Sequence, residues 1–259
     1  MPTLRDCAAY AVTSVHGALT AYAARRCMAA DFPEVTVLTD LELDVPTRRI
    51  EPLTSIRDYN VFLSHRLVEQ VTTPFVLVFQ WDGFVLDPAF WTDAFLDYDY
   101  IGAPWAEDSA PPGRRVGNGG FSIRSRRLLE ALQDPELEFN PEKSEDKVIC
   151  RRFRPILEEK HAIRFAPVEL AERFAFEHGG TPGSTFGFHG GFNLPLAMPE
   201  EDLWWALQHL PERVWEDDGV RRWIIRTRKR GFRDLSRRLH LHCLEAFPER
   251  TRGWPASPD

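Results

Sequence analysis

An aspartate directly follows the most apolar stretch of the chain. Phe75–Phe79 (FVLVF) leads into Gln80-Trp81-Asp82-Gly83. Five successive apolar residues without alternation predict a strand buried on both faces, as in the middle of a parallel sheet. In open α/β sheets, ligands bind beyond the carboxyl ends of the strands, where a carboxylate can hold a divalent cation that neutralises a diphosphate. Asp-Gly is also a common turn dipeptide, so a turn with no further role is the alternative.

A glycine-rich segment with one asparagine is the second candidate. Val116–Phe121 (VGNGGF) contains three glycines, which let a ligand approach the backbone closely, and Asn118 offers hydroxyl groups both a donor and an acceptor. The segment matches neither the dinucleotide-binding nor the P-loop pattern, because it lacks their residues and precedes a strand. It predicts either a ligand-binding turn or a plain hairpin turn.

Two further segments carry ionisable side chains. Ser144-Glu145-Asp146 stands at a predicted helix start, where a carboxylate can act as a general base toward a hydroxyl group or simply complement the helix dipole. His189 lies among glycines and aromatic residues in Thr185–Asn193 (TFGFHGGFN). A neutral imidazole there can coordinate a metal or contact phosphate, and a histidine hydrogen-bonded within a packed loop is the alternative.

Alternating apolar and amphipathic stretches must position these residues. This alternation predicts an α/β fold in which helices flank a mainly parallel sheet. The predicted strands are Ala8–Val15, Val35–Leu38, Phe75–Phe79, Phe84–Leu86, Tyr98–Ile101, Phe121–Ile123, Arg164–Ala166 and Phe174–Phe176. The predicted helical segments are Ala18–Ala30, Ser55–Val71, Ala89–Leu96, Ser125–Leu132, Ser144–Arg151, Glu201–Leu210 and Val220–Phe247 with a break near Gly231. We predict one domain over residues 1–198 and a basic helical extension over residues 199–259 that packs on it.

Composition narrows the class of protein. The chain has 259 residues, is 43% hydrophobic and has a formal charge of −7, so it can bury a sizeable core and lacks the positive charge of a general nucleic-acid binder. No apolar run reaches the ~18 residues of a membrane span, and polar residues interrupt the Ala-rich stretch after Arg5, unlike in a signal peptide. The four scattered cysteines predict buried, reduced thiols. Together these features predict a cytoplasmic protein.

The C-terminal part is basic although the chain as a whole is acidic. Nine basic residues crowd one helical region, namely Arg221, Arg222, Arg226, Arg228, Lys229, Arg230, Arg233, Arg237 and Arg238. A basic amphipathic helix can lie on the anionic inner face of a membrane. The alternative is a helical cap whose arginines pair with Asp217, Asp218 or Glu245 and cover apolar surface with their stems.

Taken together, five segments resemble the signature blocks of a poorly characterised family of glycosyltransferase-like proteins associated with surface polysaccharide synthesis. In chain order the segments are Phe75–Pro88, Tyr98–Trp105, Val116–Ser125, Ser144–Cys150 and Phe186–Asn193. The resemblance covers residues 5–195 and is specific because all the blocks occur in the same order. It implies a GT-A type of fold, in which a Rossmann-like nucleotide-binding sheet is merged with an acceptor-binding half.

The resemblance also implies roles for individual residues. In the GT-A fold, an Asp-x-Asp motif binds Mn²⁺ or Mg²⁺, which holds the diphosphate of the donor. Here that position reads Gln80-Trp81-Asp82, so the first acid is absent. Asp82 and His189 are the implied metal ligands, and Asp146, followed by Glu145, is the implied catalytic base. The residues implied in donor and acceptor binding are Thr13, Asp40, Trp81, Asn118, Gly119 and Gly120.

The implied reaction transfers a sugar from a UDP- or GDP-sugar to a hydroxyl group of a glycan or lipid-linked glycan. Inversion at the anomeric carbon needs one base and an electrophilic clamp, and the sequence offers candidates for both. Retention of configuration at the anomeric carbon is the alternative. A non-catalytic nucleotide- or carbohydrate-binding module is the alternative class, favoured by the incomplete acidic motif. A nucleotidyltransferase is disfavoured because the N-terminal region lacks a Gly- and Arg/Lys-rich phosphate loop.

Overall fold

Four parallel strands form the centre of the main sheet. β1 (Cys7–Val12) lies between β2 (Val35–Thr39) and β4 (Phe75–Phe79), and β3 (Thr47–Arg49) pairs with the other side of β2. The resulting order, β3-β2-β1-β4, matches the first four positions of the 3-2-1-4-5-6 order of a doubly wound nucleotide-binding sheet. Every residue of β1 is buried, as expected for a strand with neighbours on both sides and covered faces.

The direction of the strands reverses after β4. β6 (Phe121–Ser125) pairs antiparallel with β4, and β5 (Tyr100–Gly102) pairs antiparallel with β6, which completes a six-stranded sheet. Because β6 runs in the opposite direction, the segment that precedes β6 arrives at the edge of the sheet where β4 ends. Two short parallel strands, β7 (Ala175–Phe176) and β8 (Gly187–Phe188), form a separate sheet.

Helices flank the main sheet, so the predicted α/β fold is confirmed. They are α1 (Gly17–Cys27), α2 (Ile56–Val61), α3 (Leu67–Gln70), α4 (Arg126–Ala131), α5 (Glu145–Lys147), α6 (Arg154–His161) and α7 (Val168–Phe174). π-Helical turns join α2 to α3 and α5 to α6. Phe62 and Leu67 of the α2–α3 segment belong to one buried apolar cluster with Tyr10 of β1 and Val78 of β4. Burial of such side chains is the main favourable term that holds helix and sheet together.

The structure, a computed structural model, describes residues 3–106, 110, 114–178, 183–211, 214, 219–247, 249, 251–252 and 254–255. These residues fall into two units, Met1–His189 and Gly190–Asp259. The second unit is helical, as predicted, and contains α8 (Leu194–Ala197), α9 (Glu200–Leu207), α10 (Gly219–Lys229) and α11 (Arg233–Ala246). Within the described ranges, no helix combines the length and apolar character that a membrane crossing requires. All four cysteines are buried and form no disulfide, as predicted.

Several local predictions differ from the structure. Phe84–Leu86 and Arg164–Ala166 are not strands, because Val85 and Phe165 each form only an isolated bridge, to Gly187 and Tyr100 respectively. β3 was not predicted, since its sequence Thr-Arg-Arg is polar and partly exposed at the sheet edge. The helical turn predicted over Ala89–Leu96 consists of two short 3-10 helices.

Candidate functional site

The turn after β4 places Asp82 at the carboxyl edge of the sheet. The backbone N–H of Gly83 donates to the carbonyl oxygen of Gln80 at 3.1 Å, so the Asp-Gly pair does form the turn that its composition predicts. A Cβ atom on Gly83 would lie 2.9 Å from the carbonyl oxygen of Phe188, so the glycine lets the turn pack directly against β8. Asp82 itself is buried, with 7% of its surface exposed. The segment therefore forms the predicted turn and also carries the candidate metal ligand Asp82.

The β7–β8 pair brings Glu177 and His189 together. Phe176 lies opposite Phe188, so the next residue on each parallel strand, Glu177 and His189, emerges at the same end. The backbone N–H of His189 donates to the carbonyl oxygen of Phe176 at 3.0 Å. Nδ1 of His189 lies 3.1 Å from Oε1 of Glu177. The backbone pairing thus fixes the imidazole against a carboxylate.

His189 lies between two acidic side chains. Its Nε2 atom is 3.5 Å from Oδ1 of Asp82 and 3.2 Å from Oε1 of Gln80, while Nδ1 faces Glu177. Burial alone would lower the pKa of His189, but the charges and hydrogen bonds of Asp82 and Glu177 outweigh it and raise the pKa to about 10. Burial would raise the pKa of Glu177, but His189 outweighs it and lowers that pKa. At neutral pH this arrangement is an imidazolium between two carboxylates.

The glycine-rich segment lies directly beside this imidazole. Nδ2 of Asn118 is 2.9 Å from Nδ1 of His189, and Oδ1 of Asn118 accepts the backbone N–H of Gly120 at 3.1 Å. A Cβ atom on Gly120 would lie 2.1 Å from Nε2 of His189 and 2.7 Å from Oε1 of Gln80. Any side chain at position 120 would therefore displace the imidazole, which explains the glycine.

The acidic pair lies against the same segment. The backbone N–H of Gly119 donates to Oδ2 of Asp146 at 3.3 Å. A Cβ atom on Gly119 would lie 2.5 Å from Oε1 of Glu145. Asp146 is partly exposed, and its Oδ1 atom accepts the hydroxyl of Ser144 and the backbone N–H of Lys147. The structure thus brings Asp82, His189 and the acidic pair together around Gly119 and Gly120 of the glycine-rich segment.

Glu145 has a different environment from that of Asp146. Its Oε1 atom lies 2.7 Å from Nη2 of Arg124 on β6, and the two side chains are only 7% and 0% exposed. Burial raises the pKa of Glu145, an effect that the charge of Arg124 opposes. Arg124 was not predicted, although all five residues of its strand are buried and a buried arginine requires an acidic partner. Its carboxylate partner is Glu145.

A tyrosine lies within electrostatic range of both acidic regions. Nε2 of Gln80 donates to the hydroxyl oxygen of Tyr59 at 2.5 Å. Burial raises the pKa of Tyr59, as do the negative charges of Glu145 and Asp82. Tyr59 was not predicted as a site residue, because in the sequence it is one of several apolar positions in a helix. Glu177 was not predicted either, and its signal in the sequence was that this acid directly follows a predicted strand.

Thr13 and Asp40, which the resemblance implies in donor and acceptor binding, occupy the same edge of the sheet but are not part of this cluster. Thr13 follows β1 and its hydroxyl exchanges hydrogen bonds with the backbone of Val15. Asp40 follows β2, and Trp81 packs against His16 with 5.6 Å between ring centroids. Within the described residues, neither Thr13 nor Asp40 forms a hydrogen bond to the residues around His189. Parallel strands place them at the edge where Asp82 lies.

The donor set near Asp82 is small. In the part of the chain that the structure describes, no three His, Cys, Asp or Glu side chains are arranged to hold a metal. Asp82 contributes a carboxylate oxygen, Gln80 an amide oxygen and His189 an imidazole nitrogen. Their separations of 3.2 and 3.5 Å from Nε2 of His189 are close to the ~3 Å between neighbouring ligands of a six-coordinate ion with bonds of about 2.1 Å.

The chain matches one protein-family model and is similar to several solved structures. Residues 43–189 match the model of a family described as "Protein of unknown function (DUF5672)", whereas a search of curated proteins found no match. Among solved structures, the chain is similar to a glycosyltransferase involved in the glycosylation of the major capsid of PBCV-1, with 13% identity and a TM-score of 0.44 over 71% of this chain and 92% of that chain. It is also similar to A197 from STIV, with 14% identity and a TM-score of 0.35 over 61% of this chain and 79% of that chain. Because the family model matches more than half of the chain, the protein belongs to the DUF5672 family.

Proposed function

We propose that this protein transfers a sugar from a UDP- or GDP-sugar to a hydroxyl group of a glycan or lipid-linked glycan, with inversion. The observation that carries the proposal is the pair of polar clusters on either side of Gly119 and Gly120. One cluster, with Asp82 and His189, suits a diphosphate leaving group. The other presents the partly exposed carboxylate of Asp146, which suits proton removal from an acceptor hydroxyl.

Asp146 is the better candidate for the general base. Its carboxylate is partly exposed and held by hydrogen bonds from Ser144 and Gly119, so it can meet an acceptor. Glu145 is buried and its carboxylate faces Arg124 at 2.7 Å. Burial and the contact with Arg124 deny this carboxylate access to substrate. We therefore assign proton removal to Asp146 and a positioning role to Glu145.

The donor set fits a weakly held divalent ion. Asp82, Gln80 and His189 would hold it, because carboxylate and amide oxygens suit Mn²⁺ or Mg²⁺ and Gly120 leaves space beside Gln80 and His189. When bound, the ion would supply positive charge to the departing diphosphate. His189, with a pKa of about 10, must lose its proton to become a ligand, so protons compete with the metal. Without metal, Asp82 and Glu177 together outweigh the positive charge of the imidazolium, so a diphosphate depends on the cation at this position.

The test combines binding with turnover. We expect at least one uridine or guanosine diphosphate species to raise the melting temperature, more so with Mn²⁺, because a ligand of the folded state stabilises it by mass action. Asp82→Asn should abolish the Mn²⁺ increment, whereas Asp44→Asn, a carboxylate that is 79% exposed, should retain it. Asp146→Asn should bind nucleotide as the wild type does but lose release of nucleoside diphosphate.

Two results would count against the proposal. If no nucleotide or nucleotide-sugar alters the melting temperature, the cluster around His189 is not a diphosphate site. If Asp146→Asn turns over a donor at the wild-type rate, this residue is not the base.

A non-catalytic binding module is the second candidate function. Gln80 at the position of the first acid favours it, because an amide contributes no charge to metal binding. Nucleotide-sugar binding without any nucleotide release in the presence of Mn²⁺ and a range of hydroxyl acceptors would support the module rather than the enzyme.

A further inference from the structure

The outer sides of α10 and α11 carry an exposed basic surface. In α10, Arg221, Arg228 and Lys229 recur at helical spacing, and in α11 Arg233 and Arg237 do the same. All five are exposed. We call these five residues the basic face. It belongs entirely to the second unit of a chain whose formal charge is −7.

The inner sides of both helices explain why these residues point outward. In α10 the buried residues are Val220, Trp223, Ile224 and Thr227, and in α11 they are Leu235, Ser236, Leu239, His240 and Cys243. The indole Nε1–H of Trp223 donates to the carbonyl oxygen of Gly191 at 2.8 Å, and the hydroxyl of Ser236 donates to that of Ile224 at 3.1 Å. Packing and hydrogen bonding therefore fix the rotation of each helix.

Within the described residues of the second unit, no acidic side chain neutralises the basic face. In the described part of the chain, none of its five side chains forms an ion pair, a side-chain hydrogen bond or a ring contact. Neighbouring arginines behave differently, since Arg222 and Arg226 lie over the ring of Phe192 and Arg230 donates to the carbonyl oxygen of Leu196. Of the acids expected to pair with this region, Asp217 and Asp218 lie outside the described residues. Glu245 forms no ion pair with a described arginine.

Apolar side chains are exposed within this positive surface. Ile225 is 46% exposed and lies one helical turn from Arg221 and Lys229, and Leu241 is 38% exposed one turn after Arg237. A soluble polyanion would bind the basic side chains alone. A bilayer with anionic headgroups would bind the basic side chains and also bury the apolar side chains between them. The combination therefore favours a membrane surface.

We propose that the basic face binds the surface of an anionic lipid bilayer, with Ile225 entering the interface. This binding does not depend on the proposed catalytic function. It requires only the five charges and the exposed apolar residues.

Vesicle sedimentation tests the proposal with the full-length chain. The probe is vesicles of phosphatidylcholine with about 30 mol % phosphatidylglycerol at about 0.1 M salt, where surface charges still act over roughly 10 Å. We expect binding to these vesicles and none to pure phosphatidylcholine. The triple variant Arg221→Gln, Arg228→Gln, Lys229→Gln should lower the partition coefficient on the order of 100-fold, at about fivefold for each basic residue.

Two further variants separate a bilayer from other anions. The control Arg5→Gln, Arg49→Gln, Arg57→Gln makes the same change in charge at side chains that are 65%, 70% and 62% exposed, and it should bind vesicles as the wild type does. Ile225→Ser should weaken vesicle binding about fivefold, as expected for an apolar side chain that is half exposed, without altering retention on heparin.

Three outcomes would overturn the proposal. The first is equal binding of the wild type to charged and uncharged vesicles. The second is an equal loss in the control triple variant, which would mean that net charge alone decides. The third is an Ile225→Ser variant with unchanged vesicle binding, which would assign the basic face to soluble polyanions.

Discussion

Replacing Glu145 by glutamine should destabilise the protein strongly without direct damage to a substrate contact. The substitution keeps the shape of the side chain but removes the negative charge 2.7 Å from Arg124, whose side chain is fully buried. Breaking a buried ion pair by removing one partner costs about 3–5 kcal/mol, because an uncompensated charge is left in the interior. With a urea m-value of about 2–3 kcal/mol per molar, the midpoint should fall by roughly 1–2.5 M.

Urea unfolding, followed by the fluorescence of the eight tryptophans, measures this change. Glu130→Gln is a matched control, since Glu130 pairs with Arg126 at 2.9 Å while the side chains are 56% and 42% exposed. Exposed pairs of this kind contribute less than about 1 kcal/mol. A double variant, Arg124→Met with Glu145→Leu, should recover much of the lost stability because it removes both charges.

The result that would refute this reasoning is a Glu145→Gln variant whose free energy of unfolding lies within about 1 kcal/mol of the wild type. In that case Arg124 would have another partner for its charge. The division of roles between a structural Glu145 and a catalytic Asp146 would then lose its basis, and the glutamate would return as a candidate base.

The remaining predictions concern His189 and its neighbours. Gly120→Ala should lower nucleotide-sugar turnover at least tenfold and stability by about 1–3 kcal/mol, since the added Cβ atom meets the imidazole; wild-type turnover in this variant would contradict the proposed geometry. The pKa of His189 is raised from 6.5 to about 10, so its ion pairs stabilise the fold fully below pH 6.5 and are lost as the pH rises through 10. The difference in unfolding free energy between wild type and His189→Gln should therefore shrink by about 3–5 kcal/mol between pH 6.5 and 10, and a constant difference would exclude the raised pKa.

The central strand and the residue that follows it could be predicted from the sequence. Phe75–Phe79 has no polar position, so only a strand covered on both faces can accommodate it, and Asp82 then has to lie at the sheet edge. The convergence of Asn118, Asp146 and His189 on one site was also implied, although only through the resemblance. Composition alone gives no distances between segments this far apart in the chain.

The supporting residues could not be predicted, because their roles depend on pairing between distant segments. Glu177 faces His189 only because β7 pairs in register with β8. Gln80 reads in the sequence as a missing acid, yet its amide contacts both Tyr59 and His189. Arg124 is a charged residue in a buried strand, and only the tertiary structure shows that Glu145 is its partner. Long-range register and side-chain partners of this kind are tertiary information.

Asp82 follows β4, and Asn118 precedes the antiparallel strand β6. The distance between these two parts of the site therefore depends on the register in which β4 and β6 pair. Phe79 lies opposite Phe121, so a slip of one residue would move Asn118 along the strand by about 3.4 Å and turn alternate side chains to the other face. Insertions and deletions inside β4 or β6 should therefore be incompatible with activity even where the protein still folds. Homologues that accept different substrates are expected to keep the lengths of these two strands and to diverge in the loops that surround them.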